Sequence, residues 1–275
     1  MTILAAEHLS IAFGGVRAVD DVSFNVAPGI VFSIIGPNGA GKTTLLNVIS
    51  GLYLSQQGRV RFAGEDVTGQ VPEQLARRGL SRTFQNLQIF FRMTAVENVM
   101  VGRHRHEATG IFADLLHLPR VRRQNRATHA AAAAALDRVG LAAFAARPAA
   151  SLSYGALKRL EMARALASEP KLLLLDEPAA GCNPVETAEI EAIIRQFTRD
   201  GITVVLVEHD MRLVMNVSDR IHVLANGRSL AEGTAAEVRA NPSVIEAYLG
   251  PHGAQSRHAE GAVRPAQAQG DDGRS

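Results

Sequence analysis

The sequence predicts an α/β fold with a mainly parallel central sheet and an inserted α-helical subdomain. Three continuous apolar runs, at Lys171–Leu175, Thr203–Val207 and Arg220–Leu224, are typical of strands buried on both faces. Segments with helical patterning separate these runs, and such alternation indicates a parallel sheet. An alanine run at Ala130–Ala135 indicates that the insertion is helical, because alanine is the best helix former.

The N-terminal part of the chain is predicted to contain strands on both sides of a turn. The β-branched runs Asp21–Val26 and Ile30–Ile35 flank the turn at Pro28-Gly29. A glycine-rich loop follows the second run. The apolar spacing of Thr44–Ile49 then predicts a helix.

A short strand at Gly58–Ala63 precedes the helical insertion, which is predicted at about residues 95–165. The first helix of the insertion, Ala95–Gly102, has Thr94 as its N-cap and Glu97 at the third helical position, as in a capping box. Arginines then become frequent, and they are expected to form a solvated helix face. These arginines are Arg120, Arg122, Arg123 and Arg126.

Composition and charge limit the classes of function. Hydrophobic residues make up 47% of the 275 residues and charged residues 20%, as in a globular protein that buries its own core. The formal net charge is only +2, and aromatic residues make up 5% with no tryptophan. A nucleic-acid partner is therefore not expected, because neither a strongly basic surface nor stacking platforms are indicated.

The sequence also indicates a cytoplasmic location. No secretory signal is evident at its start, and no run of roughly 18 apolar residues is present to span a bilayer. The single cysteine, Cys182, excludes an intrachain disulfide. Residues 251–275 contain one large aliphatic side chain, Val263, so this tail is expected to be disordered and residues 1–250 to form the folded domain.

A phosphate-binding loop is the clearest functional motif. Residues Gly36–Thr43 match the pattern G-x-x-x-x-G-K-[ST] between a predicted buried strand and a predicted helix. Glycines allow backbone N–H groups to surround phosphate oxygens, and the helix N-terminus adds positive potential. Lys42 is expected to reach the β- and γ-phosphates, and the Thr43 hydroxyl to ligate Mg²⁺. The predicted ATP-binding residues of this P-loop NTPase are Gly36, Pro37, Asn38, Gly39, Ala40, Gly41, Lys42, Thr43 and Thr44.

Two acidic residues follow the predicted strand Lys171–Leu175. Ligands of open α/β sheets bind at the carboxyl ends of strands, which places Asp176 and Glu177 near the phosphates. Asp176 suits a carboxylate of the Mg²⁺ site, and Glu177 suits the base that polarises the attacking water. An acidic pair alone is more often a helix cap or a solvated turn, but the phosphate-binding loop in the same chain favours the catalytic interpretation.

Further motifs resemble the ATP-binding subunits of ABC transporters. They are the segment Leu152–Glu161, Gln85 within Arg82–Asn86, and His209 within Glu208–Asp210. With the phosphate loop and the acidic pair they make five motifs in the family's order, and the resemblance covers about residues 3–250. It implies a P-loop NTPase fold with an N-terminal antiparallel β subdomain. It also implies two nucleotide domains that pack head to tail around two ATP molecules.

The resemblance implies roles for individual residues. Ser153 would donate its hydroxyl to the γ-phosphate held by the other subunit, and the backbone N–H of Gly155 would complete that anion site. Gln85 would contact Mg²⁺ or the attacking water and sense the membrane subunit. His209 would hydrogen-bond the γ-phosphate and help to orient Glu177.

Some positions differ from the family pattern. Tyr154 replaces a glycine of the signature segment (Ser153–Ala156), and Ala156 replaces its terminal glutamine, which removes a polar side chain from the implied cross-subunit contact. Asn183 replaces the aspartate of the D-loop and keeps its hydrogen-bonding capacity without the charge. Phe13 lies where the family has an aromatic residue against adenine, and a place in the core is the alternative.

One branch of the family is especially similar, the LivG-type ATPases of branched-chain amino-acid importers. The likeness rests on Phe13–Val19, Arg82–Asn86, Leu152–Gly155, Glu177–Gly181 and the stretch from Ala231 to Gly250. It implies ATP and Mg²⁺ as cofactors. It implies two membrane permeases, a LivF-type ATPase or a second copy of this chain, and indirectly a periplasmic binding protein as partners. The location would be the cytoplasmic face of the bacterial inner membrane.

Other functions remain open. Related ATPases serve importers of urea, short amides or aromatic acids, or export lipopolysaccharide, and the transported substrate never touches this subunit. A non-transport ABC ATPase is disfavoured, because the gap from Thr44 to Leu152 is too short for a long coiled coil and each motif occurs once. A catalytically silent module is disfavoured by the presence of Glu177 and His209. The segment Asn86–Arg103, directly after Gln85, is the predicted coupling surface for the permeases.

Overall fold

Two sheets organise the protein in the computed structural model, which describes residues 1–103 and 119–249. The strands are β1 Leu4–Phe13, β2 Val16–Val26, β3 Val31–Ile35, β4 Gln57–Phe62, β5 Glu65–Asp66, β6 Leu80–Arg82, β7 Leu172–Asp176, β8 Thr203–Val207, β9 Arg220–Ala225 and β10 Arg228–Gly233. The helices are α1 Lys42–Ile49, α2 Pro72–Arg78, α3 Ala95–Val101, α4 Pro119–Arg138, α5 Tyr154–Leu166, α6 Pro184–Arg199, α7 Met211–Val217, α8 Ala235–Ala240 and α9 Pro242–Leu249. Short 3₁₀ turns lie at Ala142–Phe144 and Ala149–Ser151.

The central sheet has the strand order β10-β9-β3-β8-β7-β6. Strands β9, β3, β8, β7 and β6 are parallel, and β10 joins β9 in the antiparallel direction. Every residue of β3, β7 and β8 is buried. Burial on both faces explains why these strands are continuous apolar runs in the sequence, without alternation. The prediction of a mainly parallel α/β sheet is confirmed.

The second sheet has the order β2-β1-β4-β5 and is antiparallel throughout its pairs. It is the N-terminal β subdomain that the resemblance implied. Its buried face, with Leu4, Val19 and Phe62, shares one apolar core with Phe32 of β3 and Leu45 of α1. This packing fixes the β subdomain against the strand and the helix that flank the phosphate loop.

The observed strand ends differ from the predicted ones at several places. Strand β2 is longer than the predicted run Asp21–Val26, because β1 pairs with it from Leu4↔Val26 to Phe13↔Val16. Strand β1 was not predicted. Its sequence contains alanine, glutamate and histidine and few β-branched residues, so pairing with β2 and β4 outweighs local propensity.

The helical part of the chain begins with the predicted capping box. The Thr94 hydroxyl accepts a hydrogen bond from the Glu97 N–H at 3.3 Å, and the Glu97 carboxylate accepts one from the Thr94 N–H at 2.7 Å. The alanine run lies in α4, where Ala132 and Leu136 are fully buried.

Parts of the predicted insertion and tail lie outside the described residues. Arg123 and Arg126 are exposed, as predicted, whereas the side chains of Arg120 and Arg122 are not described. Residues 104–118 of the insertion and the tail predicted to be disordered, residues 251–275, also lie outside the described ranges. In residues 1–103 and 119–249, no helix is both long and apolar enough to cross a membrane.

Candidate active site

The phosphate loop leaves the carboxyl end of β3 and enters α1. Gly41, directly before the helix, has a φ of 99°, and a Cβ at this position would lie 2.2 Å from the Ala18 carbonyl oxygen. Only glycine therefore fits there. Within the described chain, no side chain caps α1 and its first turn carries no acidic residue. The first N–H groups of this helix and its positive dipole end are thus available to an anion.

Lys42 reaches back across the loop that it follows. Its side chain is buried, and its Nζ donates to the carbonyl oxygens of Gly36 at 2.7 Å and Pro37 at 3.0 Å. Burial lowers the pKa of Lys42, and the charges of Glu177 and Asp176 oppose this shift. The ammonium group is therefore held against the loop and attracted by the two carboxylates, which suits it to bind phosphate oxygens.

Asp176 forms a buried ion pair at the end of β7. Its Oδ2 accepts from Arg82 Nη2 at 2.9 Å, and both side chains are less than a tenth exposed. Burial raises the pKa of Asp176, and the hydrogen bond from Arg82 opposes this shift. Among the described residues, Asp176 Oδ1 is buried without a hydrogen-bond partner. Mg²⁺ is usually bound by one or two carboxylate oxygens together with phosphate oxygens. A carboxylate oxygen without a hydrogen-bond partner beside a phosphate loop is such a ligand, so the site fits Mg²⁺.

Glu177 is held by residues from two other segments. It has a φ of 50°, which is uncommon for a residue other than glycine, and its N–H donates to the Val207 carbonyl at 2.8 Å. Its Oε2 accepts from Gln85 Nε2 at 3.0 Å. Its Oε1 lies 3.8 Å from His209 Nδ1. The structure thus brings the three predicted catalytic residues together.

Two buried charged residues that were not predicted support this cluster. The Glu208 carboxylate, 1% exposed, accepts from the backbone N–H groups of Ala179 at 3.0 Å and His209 at 2.8 Å. The Lys158 Nζ donates to the carbonyl oxygens of Gln85 at 3.3 Å and Glu177 at 3.4 Å. The position of Glu208 directly after a buried strand was a usable signal. Lys158 lies inside helix α5, in the motif segment Leu152–Glu161, but the motif did not assign it a role.

Glu161 links helix α5 to the segment that carries Gln85. It is 3% exposed, and its Oε1 accepts from the Phe84 N–H at 3.3 Å. Arg164 Nη2 lies 4.0 Å from the same oxygen. Burial raises the pKa of Glu161, and the Phe84 N–H and the Arg164 charge oppose this shift.

Replacing Glu161 with glutamine is expected to make stability less sensitive to pH. Because its pKa is raised above the ordinary 4.5, the folded chain holds this proton more tightly than the unfolded chain. The resulting stabilisation is fully present below the ordinary pKa. It is lost as the pH rises through the raised pKa, at about 1.4 kcal/mol per pKa unit. Urea unfolding at a series of pH values should show a smaller loss for Glu161→Gln than for the parent. The exposed Glu246→Gln is the control, and equal losses in parent and Glu161→Gln would contradict the expectation.

The signature segment and the D-loop form a separate group. Ser153 is exposed and caps α5, its Oγ accepting from the Ala156 N–H at 3.3 Å. Tyr154 is exposed, and the alanine at position 156 packs into the core. The Asn183 Oδ1 caps α6 by accepting from two N–H groups at 2.9 and 3.0 Å. In the described chain, no hydrogen bond or ion pair joins these residues to Gly36–Thr44.

Phe13 lies at the surface at the end of β1. Its side chain is 47% exposed, so the alternative that it belongs to the core is wrong. Its ring packs edge-on against Tyr53, with centroids 5.4 Å apart. This leaves Phe13 accessible to a ligand, and its contact with adenine stays a prediction.

An apolar groove lies beside the segment that follows Gln85. Two adjoining cavities of about 300 and 400 Å³ share Phe84, Gly102 and Arg164 among their lining residues. Phe90 lines the larger cavity, and its side chain is 48% exposed; Phe91 beside it is 49% exposed. These aromatic side chains give the predicted coupling surface, Asn86–Arg103, an apolar character.

Known families and relatives account for most of the chain. Residues 19–180 match the family described as ABC transporter, and residues 228–250 match the family described as branched-chain amino acid ATP-binding cassette transporter. The chain is 47% identical over 249 residues to the high-affinity branched-chain amino acid transport ATP-binding protein BraF of Pseudomonas aeruginosa. It is 43% identical over 249 residues to LivG of Escherichia coli, named for the same transport. Each alignment covers 90% of this chain and 98% of the relative.

Solved structures of ATP-binding cassettes have a similar fold. A nucleotide-free ATP-binding cassette from an ABC transporter matches with a TM-score of 0.80 and 35% identity, over 91% of this chain and 100% of its own. A dimeric ATP-binding cassette in a post-hydrolysis state, bound to ADP and Pi, matches with a TM-score of 0.70 and 25% identity, over 84% of this chain and 98% of its own. With a family match over more than half its length and full-length relatives at 43–47% identity, this chain belongs to the ABC transporter family as an ATP-binding, ATP-hydrolysing subunit.

Proposed function

We propose that the chain drives the import of branched-chain or other hydrophobic amino acids by hydrolysing ATP at sites shared between two ATPase subunits. The observation that supports the shared site is that, among the described residues, no hydrogen bond or ion pair joins the signature segment or Asn183 to the phosphate loop. The phosphate loop and the cluster of Gln85, Glu177 and His209 form one group, and the signature segment with Asn183 forms the other. The names of the relatives, and the match of residues 228–250, support the amino-acid substrate.

Within one subunit, the residues of the loop bind the phosphates and those of the cluster act on water. Lys42 binds the β- and γ-phosphate oxygens. Glu177 takes a proton from the attacking water, and Gln85 and His209 keep its carboxylate in place. Thr43, Gln85 and Asp176 would hold Mg²⁺, which when bound would neutralise charge on the phosphate oxygens.

Across the dimer, the signature segment faces the ATP of the other subunit. Ser153 and the Gly155 N–H bind its γ-phosphate, Tyr154 completes that surface, and Asn183 lies beside it. The Ala156 side chain packs into the core, so the expectation that it contacts this ATP is wrong. The dimeric cassette bound to ADP and Pi supports this arrangement by its likeness to the present fold. Residues 1–250 then form one ATP-binding domain, with a helical insertion at about 95–165.

The partners follow from the transport function. Subunits of this family work with membrane permeases and as dimers. The second ATPase is a LivF-type subunit or another copy of this chain, and a periplasmic binding protein delivers the amino acid to the permeases. The chain itself is peripheral on the cytoplasmic face of the bacterial inner membrane.

The groove at Asn86–Arg103 receives an apolar segment of a permease. Three features support this role. The groove exposes aromatic side chains and lies directly after Gln85. The Glu161 carboxylate also accepts a hydrogen bond from the Phe84 N–H beside it. A permease segment seated there would move Gln85 when the dimer closes.

Replacing Phe90 with serine is expected to weaken binding to the permeases about tenfold or more. Burying a phenylalanine side chain contributes about 1.5–3 kcal/mol, and serine supplies almost none of this. The amount of permease that co-purifies with the chain measures the effect. Leu54→Ser is the control, because Leu54 is 69% exposed but lines neither cavity. Equal recovery of permease with Phe90→Ser and the parent would rule out this groove as the docking surface.

Reconstitution of the complex tests the substrate. The chain is purified from membranes with its bound permeases and placed in vesicles with a loaded binding protein. ATP-driven uptake of labelled leucine, isoleucine or valine is the expected result. Uptake of urea or an aromatic acid alone would assign the chain to a related importer instead.

A further inference from the structure

Glu186 connects the signature segment to the D-loop. It lies in the first turn of α6 and is half-buried. Its Oε1 accepts from the Gly155 N–H at 3.2 Å, and its Oε2 accepts from the Asn183 N–H at 3.1 Å. One carboxylate therefore binds both segments that are proposed to face the ATP of the other subunit.

The glycine at position 155 makes this contact possible. Its φ is not in the left-handed region, so the backbone conformation alone does not require glycine. A Cβ on Gly155, however, would lie 2.4 Å from Glu186 Cδ and 2.5 Å from its Oε1. Glycine is therefore needed here to let the carboxylate approach the backbone.

The charge of Glu186 is balanced by backbone groups. Among the described residues, no lysine or arginine forms an ion pair with it, and its carboxylate interacts with N–H groups near the N-termini of α5 and α6. Asn183 beside it is uncharged and caps α6 through its Oδ1. An aspartate at that position would add a second negative charge next to Glu186.

The Gly155 N–H has a single hydrogen to donate. A γ-phosphate that takes this N–H cannot share it with the carboxylate, because two anions at one donor repel each other. The present contact between Glu186 and Gly155 and the proposed contact between Gly155 and ATP are therefore alternatives.

We propose that Glu186 is a positioning residue, an internal anion that holds the signature N–H until the γ-phosphate of the other subunit displaces it. The proposal rests on the shared ATP site proposed above. After displacement, the carboxylate accepts a hydrogen bond from the Asn183 N–H only. Binding of ATP at the signature segment therefore changes the contacts of the D-loop. Glu186 thereby opposes closure of the dimer and links the two segments.

Glu186→Gln tests this proposal in a Glu177→Gln background that binds ATP without turnover. The carboxamide still accepts hydrogen bonds and still fits the capping box of α6, but it carries no charge. Sedimentation velocity is run over a series of ATP concentrations. The ATP concentration for half-maximal dimerisation is expected to fall about fivefold, the effect of removing about 1 kcal/mol of charge stabilisation at a helix N-terminus.

Glu189→Gln is the matched control. It removes the same charge from the same helix, where Glu189 pairs with Arg159 at 3.4 Å. Among the described residues, no hydrogen bond or ion pair joins Glu189 to the signature segment. Its half-maximal ATP concentration is expected to equal that of the Glu177→Gln parent. In the transporter assembled with its permeases, Glu186→Gln alone should lower the half-saturating ATP concentration by a larger factor than it changes kcat.

Three results would overturn the proposal. The first is a Glu186→Gln variant that needs as much ATP as Glu189→Gln, or more. The second is an equal change in the affinity of the monomer for ADP, because this would show an effect on the subunit's own phosphate loop. The third is a parent that stays monomeric at saturating ATP, together with an assembled transporter without ATP-driven closure. In that case the shared site itself is wrong and the proposal falls with it.

Discussion

Replacing Glu177 with glutamine is expected to lower ATP turnover by a factor of about 100 to 10,000 while ATP binding persists. Removal of a general base costs about this much, because the group proposed to take the proton of the attacking water is lost. Glutamine is about the size of glutamate. Its side-chain oxygen can still accept the hydrogen bond that Gln85 Nε2 donates to Glu177 Oε2 at 3.0 Å in the parent. The variant should therefore keep the geometry of the cluster and lose only the ability to accept a proton from the attacking water.

Phosphate release and binding of radiolabelled ATP are measured on the same preparation of Glu177→Gln. Glu189→Gln, which changes an exposed carboxylate on α6, is the control and should turn over ATP at the parental rate. Parental turnover by Glu177→Gln would show that another group is the base. Loss of ATP binding in this variant would mean that Glu177 contributes to nucleotide affinity.

Replacing Lys42 with methionine is expected to weaken ADP and ATP binding about 10- to 100-fold. A charge-assisted hydrogen bond contributes about 1.5–3 kcal/mol, and methionine has no donor for phosphate oxygens. The aliphatic part of the buried side chain is retained, so the loop should keep its packing. The Gly36 and Pro37 carbonyl oxygens lose a donor in this variant, and a lower thermal midpoint accompanies the loss of affinity.

Isothermal titration with ADP measures the effect of Lys42→Met, and thermal unfolding checks its fold. Lys171→Met, at an exposed position before β7, is the control for loss of a positive charge. An unchanged ADP affinity in a folded Lys42→Met would mean that the ammonium group does not contact the phosphates.

The sequence predicted those parts of the fold and site that depend on local pattern. The buried strands are continuous apolar runs, and the phosphate loop is a fixed spacing of glycines before Lys42. Strand β1 was missed because its pairing with β2 and β4, and not its own propensity, makes it a strand. Glu177, Gln85 and His209, which lie together in the structure, could be singled out because each lies in a recognisable motif.

Contacts between segments far apart in the chain could not be predicted from the sequence. Glu186 contacts Gly155 across 31 residues and Lys158 contacts Gln85 across 73 residues. Gly155 and Gln85 lie in recognisable motifs, but no local pattern pairs them with Glu186 or Lys158. The Arg82–Asp176 pair joins residues 94 apart. Such pairs become visible only when the order of strands brings their segments together at one edge of the sheet.

The dependence of ATPase rate on protein concentration most directly tests the claim that each site needs two subunits. The rate per mole of chain is measured over a dilution series, with light scattering to give the mass of the species present. The account predicts that the rate per mole falls towards zero as the dimer dissociates and is restored in the transporter assembled with its permeases. A constant rate per mole at concentrations where only monomer is present would contradict it.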